Sequence, residues 1–377
     1  MRPNFNKKTL IIILVSMLIL IPSIIGVLYF VNQKINLIEY EESTTVIIDT
    51  TQEFIEAKKD KVDFAEIDDA TGNDFQEVLK NWALNGGDKL KSEDVINILL
   101  IGSDASANES YRANSAENGN TDVMMIASID TKKETIKLVS IMRDSYTYMS
   151  QFDRYAKLNA ACANGGPSYL VETIENNYKI ELDGYVMVDF ISFVEVIDVL
   201  GGVNVDVPAY VANSLNKDIL IGNPMQSGES VLLDGEQALA FSRVRKTDSD
   251  GDVSRVARQR QVITALIEKA KKASLTEINA VIDVVFKNVK TNIDKKTILS
   301  YAKMALSDNW TSFDISELTL PTEDTRKPYN SRTTAWVWIV DYPLAAQKLQ
   351  LELYGHTNIK LEEERQTAIT ILNEYLS

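Results

Sequence analysis

The chain has 377 residues, with 45% hydrophobic and 25% charged content, which excludes a disordered chain and allows one large domain or two ordinary ones. Its formal net charge of −15, from 39 basic and 54 acidic side chains, argues against a nucleic-acid partner, which needs a broad basic face. A single cysteine, Cys162, excludes an internal disulfide; a single histidine, His356, excludes a multi-histidine zinc site and speaks against a Ser-His triad.

Residues 1–8 form a short basic segment carrying Arg2, Lys7 and Lys8. Residues 9–31, Thr9 to Val31, are an apolar run without a charge, predicted to be a transmembrane anchor. As a helix the run reaches about 34 Å, enough to cross a hydrocarbon core of about 30 Å, and a lipid-embedded helix tolerates Pro22. Glu39, Glu41 and Glu42 follow, so the N-terminus is expected in the cytoplasm and the rest outside the cell membrane, in a single pass. A cleaved signal peptide is the alternative, disfavoured by the length of the run and the lack of a small-x-small cleavage site. Residues 32–92 are polar and acidic, with patchy helical spacing over Thr51–Val62 and Phe75–Leu84. They read as a stalk or small accessory region.

The main domain, residues 93–356, opens with the apolar run Val95–Ile101, a buried strand ended by Gly102. Asp122–Ile129 and Thr135–Ile141 read as strands around the turn Asp130–Lys133. Gly165-Gly166-Pro167 predicts a helix with Pro167 at its first position. Phe190–Leu200 reads as a helix stopped by Gly201-Gly202, and Val203–Val207 as a strand. Asp234 is a fitting N-cap for a short helix through Phe241, with Gln237 completing a capping box. A longer helix runs from Arg255 to about Ala273, followed by helices at Lys295–Ala305 and Tyr342–Tyr354 and a strand near Leu318–Leu320. Residues 357–377 are a C-terminal helical tail. Interleaved strands and helices predict an α/β or mixed α+β class, a central sheet flanked by helices.

Against the acidic average, Arg243–Gln261 carries Arg243, Arg245, Lys246, Arg255, Arg258 and Arg260. If Arg243-Val244-Arg245 is extended, both guanidiniums share one face. Arg255, Gln259, Ile263 and Leu266 fall on one helical stripe, apolar at its far end, so Arg255 and Gln259 tilt toward the buried side. A helix start with free N–H groups favours phosphate. Ion pairing with Asp248, Asp250 and Asp252 on a solvated surface is the competing reading of the same charges.

Gly102-Ser103-Asp104 ends one strand and Asp122 starts the next. Each carboxylate would repel a diphosphate by roughly 4 kcal/mol at 4 Å and an effective dielectric of 20, a conflict that a divalent cation removes. Turn or capping roles are the commoner use of such aspartates. Arg143 ends an apolar strand, where a salt bridge to Asp144 or Asp122 is the structural alternative. Cys162, in a run of small residues, reads as a buried small hydrophobe.

From about Val95 to Gly355, about two-thirds of the chain, the sequence resembles the LytR–CpsA–Psr family of bacterial cell-envelope proteins. The segments that carry the resemblance are NILLIGSD (97–104), TDVMMIASID (121–130), VSIMRD (139–144), KLNAACANGG (157–166), LDGEQALAFSRVR (233–245) and DVSRVARQRQV (252–262). The resemblance implies a mixed α/β catalytic domain with an apolar lipid pocket, binding polyprenyl diphosphate between a sheet and helices. It implies a phosphotransferase moving a glycopolymer phosphate from an undecaprenyl-diphosphate carrier to peptidoglycan. By matching motifs, Asp104 and Asp122 correspond to magnesium (Mg2+) ligands. Arg143, Arg243, Arg245, Arg255 and Gln259 correspond to diphosphate-binding positions, with Asp252 helping to orient them. Asp104 and Asp144 are both candidates for the general base. The chain departs from the family where an arginine often stands two residues before the second aspartate: it has Asn120, with Arg112 in the preceding loop as the candidate substitute. Met142 stands for a usual proline and Cys162 for a usual aromatic.

Wall teichoic acid, capsular polysaccharide and rhamnose-rich polymers all fit as the transferred glycan. A non-catalytic polyprenyl-phosphate-binding scaffold would keep Arg243, Arg245 and Gln259 without needing the metal aspartates. A diphosphatase using water as acceptor is a further alternative. The outward orientation and acidic charge speak against a transcription attenuator acting on DNA.

Overall fold

The computed structural model describes residues 39–40, 70–103, 121–218, 223–244, 252–270, 272–274, 276–277, 280–281, 283–284, 289–330 and 336–377. The expected span at 9–31 and the helical spacing at Thr51–Val62 lie outside these residues. Among the described residues, no helix is long and apolar enough to cross a membrane. The elements begin with β1 (Glu39–Tyr40), α1 (Ala70–Asn85), β2 (Val95–Ser103), β3 (Thr121–Asp130), β4 (Thr135–Ile141), β5 (Tyr146–Met149), β6 (Arg154–Lys157) and α2 (Ala160–Tyr178). They continue with β7 (Gly184–Asp189), α3 (Phe190–Val199), β8 (Val203–Val207), α4 (Ala209–Asp218), β9 (Gly228–Leu233), α5 (Gly235–Arg243) and α6 (Asp252–Ala270). The last are β10 (Val289–Thr291), α7 (Lys295–Ser307), β11 (Asp314–Leu320), β12 (Arg326–Tyr329), β13 (Val337–Val340), α8 (Tyr342–Tyr354) and α9 (Ala368–Leu376).

The expected α/β class holds, with a central mixed sheet of order β1-β10-β7-β2-β3-β4-β11 flanked by helices. β1 runs parallel to β10, whereas β10–β7 and β2–β3 are antiparallel. The chain divides into two compact units, one centred on Val186–Ser316 and the other on Ser43–Lys132, Val139–Tyr185 and Glu317–Ser377.

In the second unit β2 is buried along nearly all its length, which is why it reads as a continuous apolar run rather than an alternating one. It pairs with β3 from Val95↔Asp130 through Leu99↔Ile126 to Gly102↔Val123, and then shifts to Ser103↔Thr121. The shift leaves Asp122 as the extra residue of a bulge, so the strand continues past Gly102 instead of ending there. Phe75, Leu79 and Ala83 make the buried stripe of α1, a helix within the stretch expected as a stalk or accessory region. Gln76 Nε2 donates to the Tyr146 hydroxyl at 2.7 Å, and the Trp82 indole donates to the Asn177 carbonyl at 2.8 Å, tying α1 to β5 and α2. The tail helix α9 packs on α1 and β13.

The helix expected to start at Pro167 begins about two turns earlier, at Ala160, and breaks at Gly166 (φ 79°, ψ 178°). Only glycine takes that backbone conformation without strain, so the Gly-Gly-Pro signal marks a kink rather than a start.

Lys179, the left-handed cap after α2, is 3% exposed. Its ammonium donates to the Ala83 carbonyl at 3.2 Å and lies 5.1 Å from the Trp82 ring centre. Burial, followed by the nearby Lys89 charge, lowers its pKa from 10.5 to about 8. Between these values the unfolded chain binds more protons, so this lysine's contribution to stability rises as pH rises from 8 toward 10.5. Urea midpoints are therefore expected to shift in favour of wild type over Lys179→Met across that window. A constant difference would show that the ammonium is already solvated when folded.

In the first unit α3 packs on α5, and α6 packs on α5 and β8. A Cβ at Gly235 would sit 2.4 Å from the Val194 carbonyl oxygen, so only glycine lets the start of α5 approach α3 this closely. The predicted capping box is present: Asp234 accepts from the Gln237 N–H at 2.8 Å, and the Gln237 side chain accepts from the Asp234 N–H at 3.1 Å. α5 runs two residues beyond the expected Phe241, and α6 ends at Ala270 rather than Ala273.

Candidate functional site

Two charged groups were expected from sequence, and each lies in its own unit. In the second unit, β4 delivers Arg143 at the tight turn that follows Ile141. The Ser145 N–H donates to the Met142 carbonyl at 3.3 Å, and the Ser145 hydroxyl to the same oxygen at 2.8 Å, closing this turn. The Asn159 N–H donates to the Arg143 carbonyl at 3.2 Å, and the Thr121 hydroxyl to the Asn159 carbonyl at 3.4 Å. The backbone of Arg143 is thus fixed from the start of α2, beside the residue preceding Asp122.

Arg143 Nη1 donates to Asp122 Oδ1 in a direct ion pair, and Arg143 Nε lies 3.7 Å from Asp144 Oδ2. Both partners that sequence reasoning offered for Arg143 are therefore present. Lys157, from β6, donates to Asp144 Oδ1 at 2.6 Å. The result is an alternating chain, Asp122–Arg143–Asp144–Lys157, with two charges of each sign. The Asp144 side chain is 6% exposed and that of Lys157 28%, so bulk salt screens the inner end least. Lys157 lies inside a motif noted above but was given no role, since its pairing with Asp144 depends on the β5–β6 hairpin rather than on any single stretch of sequence.

Asp104 lies outside the described residues, so Asp122 is the one member of the expected metal pair with a described position. Among the described residues, no group of three or more His, Cys, Asp or Glu side chains could hold an ion. A hard carboxylate such as Asp122 is a donor that suits magnesium, which binds through one or two carboxylates and completes its shell with water and phosphate oxygens.

In the first unit, Arg243 is the last residue of α5 and is exposed, its guanidinium 4.6 Å from the Phe190 ring centre. This corrects the expectation of an extended Arg243-Val244-Arg245 segment: Arg243 is helical and the chain becomes extended at Val244. The helix-favouring Ala238-Leu239-Ala240-Phe241 run carries the helix that far. Arg245 lies outside the described residues, as does the side chain of Asp252, the first residue of α6.

Arg255 and Gln259 fall on the buried side of α6 as their stripe predicted, at 1% and 5% exposure, with Leu266 further along. Arg258 is buried as well, and its Nη2 donates to the Val244 carbonyl at 2.5 Å, holding α6 against the end of α5. Sequence reasoning gave Arg258 no role, although three-residue spacing from Arg255 places it on a neighbouring part of the same face. Burying a guanidinium costs several kcal/mol unless charge or hydrogen bonding offsets it, so packing alone does not explain these positions. Cys162 is fully buried, in keeping with its reading as a small core residue.

The sequence pattern of the LytR_cpsA_psr family matches residues 46–351. The chain is 37% identical over 184 residues to TagV of Bacillus subtilis (strain 168), a polyisoprenyl-teichoic acid–peptidoglycan teichoic acid transferase, covering 48% of this chain and 47% of that protein. It is 34% identical over 222 residues to TagU of Bacillus anthracis (strain CDC 684 / NRRL 3495), a transferase of the same name, covering 58% and 67%. The chain thus spans about half the length of the first of these relatives. TagT bound to LI-WTA superposes with a TM-score of 0.56 at 26% identity, over 72% of this chain and 97% of that one. The crystal structure of B. subtilis TagT gives 0.55 at 27% identity, over 71% and 94%. With its motifs in order over a mixed α/β fold shared with those proteins, the chain belongs to the LytR_cpsA_psr family.

Proposed function

We propose that this protein is a membrane-anchored, magnesium-dependent phosphotransferase that moves a teichoic-acid-type glycopolymer from a polyprenyl diphosphate carrier onto peptidoglycan. The single observation that carries the reading is the Asp122–Arg143 ion pair placed by the bulge at the start of β3. Bulges re-aim a side chain beside functional sites, and here the re-aimed carboxylate meets the cation that ends β4. The names of the TagV and TagU relatives supply the polymer class and the acceptor.

In this reading a sugar hydroxyl of peptidoglycan attacks the polymer-side phosphorus, the phosphoanhydride bond breaks, and undecaprenyl phosphate leaves. Arg143 neutralises charge gathering on the phosphoryl oxygens, an electrostatic contribution realised most fully in the transition state. Arg243, Arg245, Arg255 and Gln259 hold diphosphate oxygens by their match to the family motif, and Asp252 helps to orient them. Asp104 and Asp122 would hold the magnesium ion, which supplies further charge neutralisation to the phosphates. Lys157 and Arg143 both engage Asp144, which supports an orienting role for that carboxylate and leaves Asp104 as the candidate base. Residues 9–31 anchor the chain, with the catalytic domain outside the cell membrane.

The test uses the full chain in vesicles, with a polyprenyl-diphosphate-linked glycopolymer as donor and peptidoglycan as acceptor. Polymer transfer is expected to stop on chelation, to return with magnesium, and to fall at least about a hundredfold in Asp122→Asn. Undiminished transfer in chelator would remove the metal from the mechanism. Donor binding without transfer under any condition would favour the scaffold reading.

A further inference from the structure

Resting on that reading, we infer that the Trp336–Trp338 pair is a stacking platform for a pyranose ring of the incoming peptidoglycan glycan strand. β13 alternates sharply: Val337 and Ile339 are fully buried, while Trp338 on the opposite face is half-buried and Trp336, just before the strand, is 37% exposed. The two indoles meet edge to face, with ring centres 4.7 Å apart and planes at 75°. The Arg326 guanidinium lies 4.8 Å from the Trp338 ring centre and donates to the Pro321 carbonyl at 2.7 Å, so Trp338 is braced from β12. Trp338, in turn, braces Trp336. The pair is an aromatic corner with a side open to water, not the interior of a core.

Its position relative to the charged chain is set by the backbone. The Trp338 N–H donates to the Asp144 carbonyl at 2.9 Å, and Trp338 bridges Ser145 as a parallel neighbour. The β13 backbone at Trp338 therefore runs directly beside the segment that presents Arg143. The electron-rich face of an indole attracts the polarised C–H face of a pyranose, a contact a flexible polyol phosphate cannot offer as well. The acceptor is favoured over the donor glycan because it arrives as a preformed strand from outside. It is met by a surface already open to water, and Trp336 is exposed and in ring contact with Trp338.

The experiment compares wild type, Trp336→Ala and Trp336→Phe in the full chain, varying acceptor and donor separately. Trp336→Ala is expected to raise the apparent KM for a peptidoglycan oligosaccharide about tenfold, equal to about 1.4 kcal/mol, with kcat and donor KM within about twofold. Trp336→Phe is expected to recover most of the loss, because a phenyl ring still offers a stacking face. An unchanged acceptor KM in Trp336→Ala, or a rise confined to the donor, overturns the inference. Tryptophan fluorescence titrated with the oligosaccharide alone gives a second readout. A saturable change in wild type that vanishes in Trp336→Ala upholds the platform even if no transfer activity is found, and no saturable change in wild type refutes it. Failure of the transferase reading and failure of the platform are thus told apart.

Discussion

Arg143→Ala is expected to lower glycopolymer transfer by about 10²–10³-fold at saturating donor and acceptor, with the fold intact by circular dichroism. The Arg143 side chain is largely buried, but its backbone is held independently by the Asn159 N–H. What the substitution removes is the cation that separates Asp122 from Asp144. Without it, Asp122 loses its Arg143 partner and repels an anionic donor by roughly 4 kcal/mol at 4 Å and an effective dielectric of 20, while Asp144 keeps Lys157. Arg143→Lys is expected to restore part of the rate. A point charge on a flexible stem cannot serve a phosphoryl oxygen and Asp122 at once as a planar fork can. Initial rates of polymer transfer for the three proteins decide the matter. Activity within a fewfold of wild type in Arg143→Ala would mean that phosphate neutralisation lies elsewhere.

Features written into a local stretch of sequence were legible, and features that depend on pairing were not. The Asp234–Gln237 capping box involves four consecutive residues, and it is found as read. Helix α8 spans Tyr342–Tyr354, as its spacing and the proline beside its start require. The burial of Arg255 and Gln259 followed from a single helical stripe ending in Leu266. The bulge at Asp122, by contrast, is a property of register between β2 and β3, and no single strand encodes it. The Asp144–Lys157 pair needs the β5–β6 hairpin to bring its two ends together, with Tyr146 opposite Lys157. The kink at Gly166 was misplaced because small residues upstream, Ala160 to Ala163, carry no amphipathic signal that marks a helix. The condition that Arg243 be extended is not met, because the capped helix before it continues to Arg243 and the chain becomes extended only at Val244.

Asp144→Asn is expected to separate an orienting carboxylate from a catalytic base, and its largest effect should be on stability. The change is nearly isosteric, so packing is kept while the negative charge that contacts both Arg143 Nε and Lys157 Nζ disappears. Breaking a buried ion pair costs about 3–5 kcal/mol because the remaining charge is stranded, and the partial exposure of Lys157 places this case near the lower end. For a domain of this size about 3 kcal/mol lowers Tm by roughly 6–12 °C. Lys157→Gln should destabilise less, since Asp144 keeps Arg143. The double variant should lose less than the sum of the two, as contacting partners do in a mutant cycle. Activity discriminates further. If Asp144 only orients Arg143, both single variants lower kcat while the acidic limb of the pH–rate profile keeps its position. If Asp144 takes the hydroxyl proton, Asp144→Asn erases that limb. Thermal melts and pH–rate profiles on the same three proteins distinguish the two roles, and an Asp144→Asn protein as stable as wild type would refute the orienting one.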